Sequence, residues 1–138
     1  MTLKPTTMSS KTTREKGSEG EAIAAAYLES KGYTILEQNY FFERAEVDIV
    51  AYDETAIVFV EVKMRKNTTF GEPAEFVTEK KKKLVYKASE AWLYERKMDG
   101  SPVRYDVVAI VQKQNEAPDI QHFKHAFYHR QWAFPRPL

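Results

Sequence analysis

No cysteine occurs among the 138 residues, which excludes a disulfide framework, a thiolate zinc centre and a thiol nucleophile, and makes a reducing cytoplasm the expected setting. An excess of one charge is lacking too: 21 Lys and Arg against 20 Asp and Glu leave a net charge of +1. Strong attraction of the whole molecule to nucleic acid is therefore not expected, and any such affinity has to come from local patches. No apolar run approaches the roughly 20 residues of a membrane helix, and the N-terminus has no apolar core of a secretory signal, so no membrane partner is expected. The histidines, His122, His125 and His129, have no strong zinc spacing. There is no internal repeat, and the length fits one domain able to bury a core.

Two neighbouring apolar runs carry charge where a packing pattern would not. Ala45-Glu46-Val47-Asp48-Ile49-Val50-Ala51 and Ala56-Ile57-Val58-Phe59-Val60-Glu61-Val62-Lys63 flank the polar Asp53-Glu54-Thr55. Both are rich in β-branched residues and read as the strands of a hairpin. Alternation puts Glu46 and Asp48 on one face of the first strand, and Phe59, Glu61 and Lys63 on one face of the second. With Asp48 opposite Glu61, the loop is about four residues long, a common hairpin length. Two carboxylates and an ammonium then converge at one end of the hairpin.

Two carboxylates 4 Å apart repel by roughly 4 kcal/mol at a surface-like dielectric, and a bound divalent cation removes that cost. Oxygen ligands suit Mg²⁺, which takes one or two carboxylates and keeps several waters. Such an ion activates water and polarises a phosphoryl oxygen, while a nearby lysine stabilises developing negative charge. Taken alone, the Glu61-x-Lys63 pair is better explained as an exposed cross-strand or same-face ion pair.

Around the hairpin, Gly17-Ser18-Glu19-Gly20-Glu21, Ala45 to Ala51, Val60-Glu61-Val62-Lys63-Met64-Arg65 and Phe70-Gly71-Glu72-Pro73 follow one another. In order and spacing they resemble the YraN-like family of predicted bacterial nucleases. These are related to archaeal Holliday-junction resolvases within the PD-(D/E)xK restriction-endonuclease-like superfamily. Arg104 to Val108, and Ile120 through Phe127, resemble its closing segments, so the likeness runs from about Arg14 to Tyr128. The resemblance implies Asp48 and Glu61 as ligands of Mg²⁺ or Mn²⁺, Lys63 as the catalytic lysine, and Glu21 as an acidic residue of the first helix beside the site. It also brings Lys80 close enough to assist. One departure is Ala45, where the family usually has Gly. That matters only if the position needs a positive φ or a close backbone approach.

The rest of the chain organises around this core. Residues 1–13 read as a disordered tail, 14–128 as a nuclease-like domain and 129–138 as an aromatic, proline-punctuated tail. A first helix spans Arg14 to Ser30, buries Ile23, Ala24, Tyr27 and Leu28, and stops at Lys31-Gly32. Gly17 and Gly20, one turn apart, allow close packing. Glu19 and Glu21 flank the buried stripe, and periodicity does not choose between them. A strand covers Tyr33 to Phe41. A long loop from Lys66 to Val77 offers Phe70 for stacking on bases or for covering the core. A second helix starts at the N-cap Thr78 and turns Leu84, Ala88, Ala91 and Trp92 inward. Lysines 80–83 oppose its macrodipole, which a phosphate-facing patch would explain as well as a solvated face does. Arg65, Lys66, Lys80, Lys83 and Lys87 are the candidate nucleic-acid contacts. Val103 to Gln112 and Asp119 to Ala126 close the sheet, the latter as an edge, with Arg104 and Asp106 as an ion pair.

The expected fold is α/β: a restriction-endonuclease-like three-layer domain with a central mixed sheet flanked by helices. The expected function is metal-dependent hydrolysis of phosphodiester bonds in DNA, branched or junction DNA among them. A non-cleaving nucleic-acid-binding protein on the same fold, and a protein-interaction adaptor, are the rivals. A resolvase needs paired sites to cut two strands symmetrically, which raises the expectation of a two-fold homodimer.

Overall fold

A computed structural model of the protein describes residues 13–66 and 77–128, with side chains from residue 18 onward. The N-terminal tail, the Phe70 loop, His129 and the C-terminal tail fall outside the described residues. The elements run α1 (Thr13–Ser30), β1 (Thr34–Phe42), β2 (Ala45–Tyr52), β3 (Ile57–Arg65), α2 (Glu79–Glu95), β4 (Val103–Val111) and β5 (Asp119–Phe127). The five strands form one sheet in the order β1-β2-β3-β4-β5. Every pair is antiparallel except β3 with β4, which is parallel and joined through α2. A parallel pair needs such a crossover, and the helix supplies it. No helix is long and apolar enough to cross a membrane among the described residues.

Each face of the sheet buries one helix. On one side Ala24, Ala25 and Leu28 of α1 meet Ile49, Val58, Val60, Val108 and Ile110. On the other, Val85, Ala88, Trp92 and Leu93 of α2 meet Val47, Val50, Phe59, Tyr105 and Val107. This is the three-layer arrangement the patterns predict, with two corrections. Along α1, Ala25 is buried while Ile23 and Tyr27 stay half-covered, because the inner stripe is built mainly of alanine. Along α2 the inner face is turned toward Val85, Ser89 and Leu93, leaving Leu84 and Ala91 at its margin. Ser89 tolerates burial because its hydroxyl pairs with the Tyr105 hydroxyl at 2.7 Å and donates to the Tyr86 carbonyl at 2.8 Å.

Two local features place the site. The β2–β3 ladder runs from Tyr52↔Ile57 to Ile49↔Val60 and stops there. The four-residue turn between them is held by the Asp53 carboxylate, which accepts from the N–H groups of Thr55 and Ala56. Alternation along β2 also slips by one residue: Val47 and Val50, three apart, face α2, whereas Ile49 faces α1. In β1, the register sets Asn39, at φ 55°, opposite Asp48. Both irregularities fall where β2 and β3 part. Ala45 lies on the α2 side at 1% exposure and is absent from the positive-φ residues, so its methyl is accommodated.

Candidate active site

Where the ladder stops, Asp48 and Glu61 come next in register. The Asp48 Oδ2 accepts from the Val62 N–H at 2.8 Å, replacing a main-chain partner with a carboxylate. The two residues are only 7% and 5% exposed. Glu61 lies on the α2 side: its Oε2 is 3.4 Å from Lys63 Nζ and its Oε1 is 3.9 Å from Lys81 Nζ. Asp48 lies on the α1 side. Glu21 from α1, Glu46 and Asp48 each bring a carboxylate oxygen within 4.8 Å of the others. The fork between β2 and β3 thus gathers charged groups from both helical layers.

Protein partners compensate these carboxylates only in part, Lys63 and Lys81 reaching Glu61. One oxygen of Glu21 and one of Glu61 are buried without a hydrogen bond among the described residues, although such groups in folded proteins are nearly always paired. Burial, then the charge of Glu61, pushes the Asp48 carboxyl up to about 8. Burial also raises Glu61, against the opposing pull of Lys81 and Lys63. Glu21 is raised by burial and by Glu46 and Glu61, against a hydrogen bond with Asn39. Three carboxylates within 4.8 Å of one another, with the Glu61 charge acting on Asp48 and two oxygens without a hydrogen bond among the described residues, suit a hard divalent cation. Glu21, Glu46, Asp48 and Glu61 are the residues that could hold it.

Of the residues singled out from sequence, Glu21, Asp48, Glu61 and Lys63 are brought together here. Arg65 and Lys66 are exposed at the end of β3, beyond Lys63. Lys80 and Lys83 are exposed on the first turns of α2. Lys87 differs from that group because it pairs with Glu43 at 2.7 Å. Lys80 is not the lysine that reaches the carboxylates. Thr78 caps α2 by accepting from the Lys81 N–H at 3.1 Å, and this phase turns Lys81 toward Glu61. Glu46 and Lys81 are the residues sequence reasoning missed. Glu46 shares a face with Asp48 by alternation and could have been included. Lys81 stood in a run of four lysines that only the helix phase resolves.

A second buried polar group lies along β4. Asp106, fully buried, accepts from Arg104 Nε and Nη2 at 2.9 Å each and from the His125 N–H at 3.1 Å, and it contacts His122 Nε2 at 2.7 Å. Arg104 also reaches Asp53 at 2.6 Å and the Tyr33 hydroxyl at 2.7 Å. Here every charge has a partner, which makes it structural where the fork is not.

A mixed five-stranded sheet between two helices, with acidic residues at a strand fork, defines an α/β domain of the restriction-endonuclease-like class. Residues 20–110 match the model of the uncharacterised protein family UPF0102. A UPF0102 protein of Geotalea daltonii is 45% identical over 111 residues, covering 80% of this chain and 87% of that one. A UPF0102 protein of Flavobacterium johnsoniae is 45% identical over 118 residues, covering 83% and 95%. A third, from Clostridioides difficile, is 40% identical over 114 residues, covering 83% and 97%. The chain belongs to the UPF0102 family, the YraN-like family that its motifs resemble.

Proposed function

We propose that the protein is a metal-dependent nuclease that hydrolyses phosphodiester bonds in DNA, branched or otherwise structured DNA included, in a cytoplasmic setting. The observation that carries this is the partly compensated carboxylate cluster at the β2–β3 fork, with one lysine from the same strand and one from α2 against Glu61. A binding module has no use for buried, mutually repelling carboxylates, since phosphate is anionic as well.

Glu21, Glu46, Asp48 and Glu61 would hold Mg²⁺ or Mn²⁺. When bound, the ion supplies a water of lowered pKa and polarises the scissile phosphoryl group. The chain's own residues do the rest. The Val62 N–H fixes one Asp48 oxygen and so aims the carboxylate. Lys63 Nζ stands beside Glu61, on the strand that ends at the site, and offers its charge to the extra negative charge of the transition state. Lys81 adds a positive charge 3.9 Å from the other Glu61 oxygen. Arg65 and Lys66 at the end of β3, and Lys80 and Lys83 on the first turns of α2, are exposed and suit the phosphate backbone, where contacts position a substrate without reading its sequence. A homodimer with two such sites fits symmetric cutting of a junction, and light scattering at low protein concentration tests it.

The deciding experiment is cleavage of labelled four-way junction, flap, duplex and single-stranded DNA in Mg²⁺, Mn²⁺ and EDTA, by wild type, Asp48→Asn and Glu61→Ala. Cutting is expected only with metal and only by wild type, while both variants still bind. Unchanged cutting by Asp48→Asn removes the mechanism. Salt-dependent binding without cutting on any substrate moves the reading to a non-cleaving DNA-binding protein.

A further inference from the structure

Two consecutive aromatics at the end of β1 take opposite faces. Phe42 packs half-buried on the α2-side core, with Lys87 Nζ 6.0 Å over its ring. Phe41 is 59% exposed on the other face. An exposed apolar side chain is ordinary in itself, but this one has a particular neighbour. Phe41 is the direct cross-strand partner of Glu46, a member of the carboxylate cluster. Directly opposed residues on an antiparallel pair stand on the same face with Cβ atoms about 5 Å apart. The ring therefore borders the place where a scissile phosphate would be held.

Its mounting is firm. Tyr40, just before it, is buried and donates to Glu95 at 2.8 Å. Beyond it the two-residue turn Glu43-Arg44 is tied to α2 through Lys87 at 2.7 Å. β1 is also an edge strand, so no strand of the sheet lies beyond the ring on that side.

We propose that Phe41 is a base-stacking platform, and that it directs the site to DNA with an unpaired base next to the scissile phosphate in preference to continuous duplex. This rests on the nuclease reading above. Within a duplex each base face is covered by its neighbours, so a ring beside the phosphate reaches a base face only when that base has left the stack. Flaps, gaps and single strands present such bases without the cost of extrusion. Aromatic stacking on single strands is sequence-tolerant, which agrees with lysines that contact the backbone alone.

The test is binding of the full chain, with Ca²⁺ replacing Mg²⁺, to a single-stranded oligonucleotide containing 2-aminopurine and to the fully paired duplex of the same sequence. Wild type is expected to quench the 2-aminopurine fluorescence of the single strand. Phe41→Ala is expected to lose the quenching and about tenfold in single-strand affinity, the scale of one base–aromatic stack, with less than about a twofold change on duplex. Phe41→Trp should keep both. An unchanged quench in Phe41→Ala, or an equal loss on both probes, overturns the platform and leaves the nuclease reading standing. Wild type that binds neither probe also overturns the platform, and the cleavage panel on junction and flap DNA then decides the nuclease reading separately.

Discussion

Lys80 and Lys81 are adjacent in sequence and differ in what they touch. Lys81 Nζ is 3.9 Å from a buried Glu61 oxygen that has no hydrogen bond, whereas Lys80 is exposed on the first turn of α2. Lys81→Ala should therefore lower kcat by roughly 10²-fold with KM little changed, the scale of losing one preorganised charge partner. Lys80→Ala should instead raise KM and reduce the salt slope of binding by about one, as for a lost phosphate contact. Steady-state kinetics at two salt concentrations separates them, and identical behaviour of the two variants would sink the assignment. At this scale the sequence exposes what the strand period exposes. The four-residue turn fixes the β2–β3 register, but the Asp48–Glu61 pairing expected from it falls one step beyond the last ladder pair, Ile49↔Val60. Lys81 does not stand out, because the sequence pattern sets the inner face of α2 along Leu84 and Ala91, whereas the buried stripe through Val85, Ser89 and Leu93 turns Lys81, one turn before Val85, toward Glu61.

Among the elements, α1 owes its position to a small residue. A Cβ built on Gly20 would lie 3.2 Å from Met64 Cβ and Sδ of β3, so α1 lies against the sheet near the fork and carries Glu21 to the cluster. Gly20→Ala should stay within about 1 kcal/mol of wild type, since helix propensity gains nearly as much as the thioether must give way. Gly20→Val should cost roughly 1–3 kcal/mol by overpacking and should also reduce cleavage by displacing Glu21. Urea denaturation beside an activity assay checks this; a valine variant with wild-type stability would show that α1 is not in contact there. Close packing at Gly20 was legible from the sequence, and the strands follow their apolar patterns to within two residues. The slip of alternation between Val47 and Val50 was not legible. It falls beside Asn39, whose positive φ no residue pattern announces, whereas Glu46 lies before it and follows plain alternation.

Across the whole molecule, two buried charged groups oppose each other in pH. Burial pushes Asp106 and Asp53 upward, but hydrogen bonds outweigh it and hold both below the usual carboxylate range. Those bonds come from His122 and Arg104 to Asp106, and from Thr55, Ala56 and Arg104 to Asp53. Their folded values are depressed, so their contribution is fully present above the unfolded value near 4 and is lost as pH falls through the folded values. Asp48 has the reverse sign. Its folded value is raised to about 8 by burial and by Glu61, so the fold binds a proton there that the unfolded chain releases near pH 4. The cost is absent below that point, grows as pH rises, and is complete above about 8. Metal-free protein should therefore lose stability between about pH 5 and pH 8, by several degrees of Tm at roughly 3–4 °C per kcal/mol for a chain of this size. Asp48→Asn retains an oxygen for the Val62 N–H but no charge, so in EDTA it should flatten this slope and exceed wild type at pH 8. Mg²⁺ should raise the Tm of wild type more at pH 8 than at pH 6, because it binds the ionised carboxylates. Thermal melts of both proteins across this range, with EDTA and with Mg²⁺, decide it. Parallel slopes for wild type and Asp48→Asn in EDTA would mean that the fork does not store the repulsion that a cation is expected to relieve.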